Sequence, residues 1–343
     1  MTKLRPPLLL AAFTAALLQS GCIGPSATPP APAPTPAAPG IVSLHGRLQV
    51  VGPRIFGSHG RPVSLAGNSF FWSQWMGRFY TAGTVEWLAE DWGATIVRVP
   101  LGVHREDGYL QHPQANLARV VRVADAAITR DLYVILDWHD HHAHEHTEQA
   151  VAFFSAMARR YGHLPHVIYE IYNEPLADAS WTRDVKPYAE RVIAAIRAVD
   201  PDNLIVVGSP HWAQDVDIAA ADPLRDPNVA YTLHFYAGTH KAGLRAKAAR
   251  ALQLGAALFV TEWGTCNADG NGPIDEASVR AWMDFIRRHG LSHCNWAVSD
   301  KFETASIVRR GASSRGGWRE ADLTPSGLLV RDLIRNWSAT LTP

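Results

Sequence analysis

From Ser64 onward the chain repeats one pattern. A short, nearly unbroken apolar and β-branched run closes on polar or aromatic residues, and a longer stretch with apolar positions three and four apart follows. The runs occupy 64–70, 95–102, 133–139, 167–175, 204–210, 229–238, 257–264 and 293–299. Near-continuous apolar character, without strict alternation, suits parallel strands covered on both faces. Helical stretches fall between them at 117–130, 150–161, 185–199, 243–254 and 276–289. In 185–199 the apolar stripe is Val185, Tyr188, Val192, Ile196 and Val199, and Asp200-Pro201 stops it, because proline disfavours the helical conformation in the residue before it. Eight strand–helix units in about 280 residues predict an α/β fold, a (β/α)8 TIM barrel. A doubly wound open sheet is the alternative, but no glycine-rich phosphate turn follows the first run. Residues 44–63 predict a short N-terminal β-hairpin that caps the barrel bottom.

The front of the chain follows another logic. Lys3 and Arg5 precede an apolar stretch of eleven residues, 8–18, too short to cross a bilayer and right for the core of a signal peptide. Small residues then precede Cys22 (Ser20-Gly21-Cys22), which resembles a bacterial lipoprotein processing site, although Gln19 stands where an aliphatic residue is usual. Residues 1–22 are therefore expected to direct export, with Cys22 as a lipid anchor; ordinary cleavage nearby is the alternative. Residues 23–40 hold seven prolines and no charge, the composition of an extended spacer. No later Pro/Gly-rich break appears, so 41–343 are expected to form one catalytic domain.

Composition removes whole classes. Lys and Arg number 32 and Asp and Glu 32, so the formal net charge is zero and no basic excess points to nucleic acid. With hydrophobic residues at 47%, a large core is available and global disorder is excluded. Three cysteines rule out a disulfide-dense scaffold. Cys266 and Cys294 flank runs that should be neighbours. One lies past a strand end and the other early in a strand, which favours two free thiols over a bridge.

In a barrel of this kind, chemistry sits at the C-terminal ends of the strands. Those ends read Asp137-Trp138-His139, Asn173-Glu174-Pro175, His234-Phe235-Tyr236, Glu262-Trp263-Gly264 and Asn295-Trp296, with Arg98 inside the second run. Two carboxylates on different strands are what glycosidic-bond cleavage requires, one as acid and one as nucleophile or base. Either glutamate alone would read as a salt bridge or helix cap. Together, on a face that also carries Arg98, two histidines and Trp296, they read as a catalytic pair. Six of the twelve tryptophans (Trp72, Trp75, Trp138, Trp212, Trp263, Trp296) fall at or near strand ends, where flat rings could grip sugar faces.

The ordered set of motifs resembles glycoside hydrolase family 5, closest to its bacterial endoglucanases, over essentially all of 44–337. The stretches at 167–176 (VIYEIYNEPL), 231–240 (YTLHFYAGTH) and 258–272 (LFVTEWGTCNADGNG) carry the likeness furthest. The resemblance implies a retaining β-1,4-glucanase with Glu174 as acid/base and Glu262 as nucleophile. It further implies Arg98 beneath the nucleophile, His234 and Tyr236 orienting the glutamates, and Asn173 on the sugar 2-hydroxyl. His139 becomes a sugar contact, Trp296 the platform at the cleavage point, and Trp75 and Trp212 platforms on either side of it. Lys301 and Glu303 become further polar sugar contacts. Phe71-Trp72 departs from the family pattern, since many members have a histidine there. The same catalytic set serves mannanases, xyloglucanases and mixed-linkage glucanases, and a carbohydrate-binding protein without catalysis is a more distant alternative. The expected partner is a neutral β-1,4-glucan met by a monomer, with no cofactor and no metal.

One feature stands outside that set. His139-Asp140-His141-His142-Ala143-His144-Glu145-His146 places five imidazoles in eight residues. His-x-His at a strand end suggests metal-dependent hydrolysis. A metal site there would leave Glu174 and Glu262 without roles, and the run falls where a loop should begin, so most of these rings are expected to be solvated.

Overall fold

The computed structural model describes residues 1–2 and 40–339. The export segment, Cys22 and the proline-rich spacer lie outside the described residues. Eight parallel strands close into a barrel: β3 (Ala66–Phe70), β4 (Ile96–Gly102), β5 (Tyr133–His139), β6 (Val167–Glu170), β7 (Ile205–Gly208), β8 (Val229–Tyr236), β9 (Leu258–Gly264) and β10 (His293–Val298), with β10 pairing back onto β3. The (β/α)8 expectation holds. Each apolar run forms a strand, trimmed by a residue or two at most ends. The exception is the run at 167–175, whose strand stops at Glu170 and leaves 171–175 to carry Asn173 and Glu174 out over the barrel mouth.

The expected hairpin is also present, β1 (Gln49–Val51) against β2 (Arg54–Phe56), after a short helix, Ile41–His45. Its apolar residues Leu48 and Ile55, with Val42, Val63 and Leu65, join Ile96, Ile135, Ile168, Val206, Phe259 and Cys294 in one buried cluster. The hairpin therefore plugs the end of the barrel opposite the catalytic motifs. The Tyr133 hydroxyl donates to the Gly46 carbonyl at 2.5 Å and helps fix it.

Pleating divides each strand between two environments. Val97, Val99 and Leu101 of β4, like Val134, Leu136 and Trp138 of β5, face outward into the helices. Ile96, Tyr133, Ile135 and Ile168 face inward and form an apolar lower layer. Above it the inward residues turn charged: Arg98, Asp137, Glu170 and His234, none more than 2% exposed. A large apolar mantle of strands and helices surrounds this polar centre and excludes water from it.

That alternation corrects the expectation for two tryptophans. Trp138 and Trp263 follow the inward residues Asp137 and Glu262 by one position, so the pleat turns them to the other face. Trp138 packs on Tyr109 and Phe153, and Trp263 stacks on Phe235 and donates its indole N–H to His293. Both are wholly buried and serve the core. Cys266 and Cys294 are free and buried in separate clusters.

Candidate active site

Arg98 is the hub. Its Nε donates to Glu170 Oε2 at 2.6 Å and one terminal nitrogen to Glu262 Oε2 at 3.0 Å. The other terminal nitrogen reaches Asn173 Oδ1 at 2.5 Å and lies 2.9 Å from Asp137 Oδ2. Three carboxylates on β5, β6 and β9 thus converge on one guanidinium from β4, fully buried. Burial pushes the Asp137 carboxyl well above its usual range despite Arg98, because Glu170 and Glu262 add like charge. Burial works the same way on Glu170, but Arg98 and His234 overcome it and hold that carboxyl low.

Glu174 and Glu262 face one another across the barrel mouth, with His234 between them. Single ligand atoms of the three lie within 4.8 Å of one another. Glu262 is held from below by Arg98 and from the side by the Tyr236 hydroxyl, which donates to Oε1 at 2.8 Å. Glu174 Oε1 is 2.8 Å from His234 Nδ1. The other ring nitrogen of His234 meets Thr261 Oγ1 at 2.9 Å, and Thr261 donates its own proton to Glu170 Oε1 at 2.7 Å. That leaves the Thr261 oxygen to accept, so Nε2 of His234 carries hydrogen. Burial would lower His234, but the charges of Glu262, Glu170 and Glu174 raise it to about 9. It is an imidazolium at neutral pH, donating from both nitrogens.

Two buried carboxyls this close split their protonation. Burial alone would raise both. The nearby His141 ring and the His234 hydrogen bond outweigh it at Glu174 and hold that carboxyl below the usual range. At Glu262 burial prevails over His234, Arg98 and Tyr236, with the Glu174 charge adding to it, and the carboxyl is raised. The two carboxyls are thus pushed in opposite directions, Glu174 toward the anion and Glu262 toward the protonated form.

Around the pair lies a cleft. A cavity of about 680 Å³ is lined by both glutamates, His234, Tyr236, His141, Trp212 and others. Trp212 is 43% exposed on its rim, in a segment where His211, Trp212 and Ala213 all have left-handed φ near 55–58°. On the other side Trp75, 47% exposed, packs at 5.0 Å on Trp72, and Phe71 bridges Trp75 to Trp296. The Trp296 indole lies parallel to the His139 ring at 5.3 Å, and His139 Nδ1 is 2.7 Å from Asp137. Burial and the Arg98 charge hold His139 well below its ordinary value, so it is neutral. Of the expected sugar contacts, Trp212 lines the cleft, Trp75, Trp296 and His139 belong to one aromatic cluster with Phe71 and Trp72, and Asn173 sits on Arg98. Lys301 and Glu303 stand apart from the glutamates. They pair with each other at 2.5 Å and line a second cavity of about 760 Å³, with Lys301 5.4 Å from the Phe71 ring.

The histidine run is not solvated as expected. His104 Nδ1 lies 2.6 Å and His146 Nδ1 2.7 Å from the two oxygens of buried Asp140, which also accepts from the His142 backbone N–H. These contacts hold the Asp140 carboxyl far below its usual range even though burial would raise it. His144 meets the Tyr172 hydroxyl at 2.8 Å, and His141 lies 3.5 Å from Glu174. Among the described residues, the group whose geometry could admit a cation is Glu174, His234 and Glu262. Both nitrogens of His234 are already engaged, so the hydrogen-bonded reading accounts for the same atoms.

Glu170 completes this centre without having been singled out by the sequence, and Asp137, Thr261 and His141, which stand in the quoted motifs, had no role assigned to them there. The readable signal was a charged or hydroxyl residue inside an otherwise apolar strand, as in VIYE and YVILDW.

A closed eight-stranded barrel with two facing carboxyls and an aromatic cleft at its C-terminal mouth defines a barrel glycosidase. A family model described as Cellulase (glycosyl hydrolase family 5) matches residues 56–302. Endoglucanase Z of Dickeya dadantii is 52% identical over 293 residues, covering 84% of this chain and 66% of that protein. A solved structure from Cytophaga hutchinsonii superposes with a TM-score of 0.86 at 50% identity, covering 87% of this chain and 97% of that one. The catalytic domain of Thermobifida fusca endoglucanase Cel5A, in a variant complexed with cellotetraose, superposes with a TM-score of 0.82 at 33% identity, covering 86% and 99%. The chain belongs to glycosyl hydrolase family 5, the cellulase family.

Proposed function

We propose that this protein is an endo-acting β-1,4-glucanase that cleaves internal glucosidic bonds with retention of configuration. The approach of Glu174 to Glu262, with ligand atoms within 4.8 Å, carries the reading. A retaining site needs its carboxyls about 5–5.5 Å apart, and an inverting site about 6.5–9.5 Å to admit a water. Glu262 is the nucleophile: Arg98 and Tyr236 donate to its two oxygens and favour the anion. Glu174 is the acid/base: burial and the protein's own charges run the other way, with Glu174 low and Glu262 raised, so these roles need the proton on the free oxygen of Glu174 once substrate fills the site.

In the first step the Glu174 proton passes to the glycosidic oxygen as the C1–O bond breaks and Glu262 bonds to C1. In the second, water attacks C1, its proton passes to Glu174, and the bond to Glu262 breaks. Asn173, oriented by Arg98, faces the sugar 2-hydroxyl. Trp296 lies beneath the ring being cleaved, while Trp75 and Trp212 hold the chain on either side. Lys301 and Glu303 extend the polar contacts at the Phe71 side. The substrate agrees with the endoglucanase names of the relatives and with the cellotetraose complex of a structural neighbour. The protein works as an exported monomer, held to the outer membrane through lipid on Cys22.

Product stereochemistry tests the reading. Proton NMR of early products from a soluble cello-oligosaccharide should show the β-anomer first, and Glu262→Ala should bind glucan without turnover. Initial α-product, or undiminished hydrolysis by that variant, would overturn it. Radiolabelled fatty acid should be incorporated into the wild-type chain and not into Cys22→Ser.

A further inference from the structure

The histidine run has one member that reaches the catalytic pair. His141 extends from the loop after β5 into the cleft, where its Nε2 lies 3.5 Å from Oε2 of Glu174, the oxygen that His234 leaves free. His234 is almost wholly buried, whereas the His141 side chain is 16% exposed and borders the cavity. The two histidines therefore bracket Glu174, one on each carboxyl oxygen.

The rest of the run fixes His141 in that position. Asp140 is tied by His104, by His146 and by the His142 backbone. The Tyr172 hydroxyl donates to the His141 carbonyl at 3.1 Å and meets His144 at 2.8 Å. The His141 ring lies 5.7 Å from both His104 and Trp72, edge-on to the latter. We propose that His141 is a positioning residue for the acid/base, holding the free oxygen of Glu174 toward the glycosidic oxygen and donating to it once it becomes a carboxylate. This rests on the assignment of Glu174 above.

The groups facing His141 are Glu174 from the segment after β6, His104 from the segment after β4, His139 at the end of its own strand, and Asp140 and His142 beside it. The gap of 3.5 Å is long for a hydrogen bond. Catalytic contacts of this kind tighten when substrate fills the site. In the first step the Glu174 proton leaves for the departing oxygen and the new carboxylate accepts from His141. In the second step the same carboxylate, still held, takes the proton from water. His141 exchanges no net proton in either step.

The test is a pH profile of kcat. Removing a donor from a carboxylate raises its proton affinity, so His141→Ala should move the alkaline limb upward by about one pH unit. Its kcat should fall about tenfold as Glu174 loses its orientation. His141→Gln, which keeps an N–H, should restore most of both effects. His142→Ala, whose backbone contact to Asp140 survives, should match the wild type. An unmoved limb with only a raised KM would make His141 a sugar contact and overturn the proposal. So would the same shift in all three variants, since it would report a disturbed loop. Glu174→Ala serves as the reference: it should lose activity and regain turnover with azide, which forms a glycosyl azide as the bond from C1 to Glu262 breaks. A fully active Glu174→Ala would instead sink the acid/base assignment itself.

Discussion

Arg98 shows how much one residue can carry. It is a buried cation within hydrogen-bond distance of Asp137, Glu170, Glu262 and Asn173. Deleting one partner of a buried charge cluster costs about 3–5 kcal/mol, because the remaining charges stay desolvated. Arg98→Ala should lose stability on that scale in chemical denaturation, and activity with it. Tyr236 gives a finer probe. Its hydroxyl supplies one donor to Glu262, and Tyr236→Phe should reduce kcat by about 10–100-fold while leaving the fold intact, near the lower end of what one preorganised donor contributes. The wild-type pH–rate profile should be a bell. The alkaline limb requires the Glu174 proton and the acid limb the Glu262 anion; burial and the protein's own charges favour the opposite order, so both limbs report the coupled pair rather than either residue alone. A single sigmoid in place of the bell would mean the two carboxyls do not share a proton.

At the scale of elements, the strands set the site and the loops finish it. β3 lies so close to β4 that a Cβ at Gly67 would fall 1.8 Å from the Ile96 carbonyl oxygen. Gly67→Ala should therefore push the strands apart at the base of the Arg98 layer and cost about 1–3 kcal/mol, read as a lower melting temperature. The strands were legible because a covered parallel strand is apolar along its length. Their alternation was not, because VRVP and YVILDW read as continuous until the pleat assigns each side chain a face. That is why Trp138 and Trp263 were grouped with the cleft while Glu170 was passed over. The pairs that build the centre span distances no local pattern reveals: Thr261 and Glu170 stand 91 residues apart, and Arg98 and Glu262 164. Glu174, Glu262 and their immediate partners were legible through the family resemblance, and the histidine loop was not, because its order comes from Asp140 and Tyr172.

For the whole molecule, buried histidines set the pH range of stability. His234 is raised in the folded state to about 9, so its stabilising contribution is full below the ordinary histidine value of 6.5 and is lost as pH rises through 9. His293 behaves oppositely. Burial lowers it to about 3, so the unfolded chain takes up its proton first and stability falls as pH drops below 6.5. Thermal unfolding followed across pH should give a maximum near neutrality, and replacing His293 by a residue that does not titrate should flatten the acid side.

The distribution of indoles has an optical consequence. Twelve tryptophans absorb, yet only Trp75 and Trp212 are substantially open to solvent, and they are the two rings proposed to hold the chain on either side of the scissile position. A small aqueous quencher such as acrylamide can collide with those two rings and hardly any others. Their emission is thus a built-in gauge of cleft occupancy. A glucan long enough to cover both should shield two emitters, and a short one should shield one, so the length dependence of that protection reads out the reach of the groove without any label.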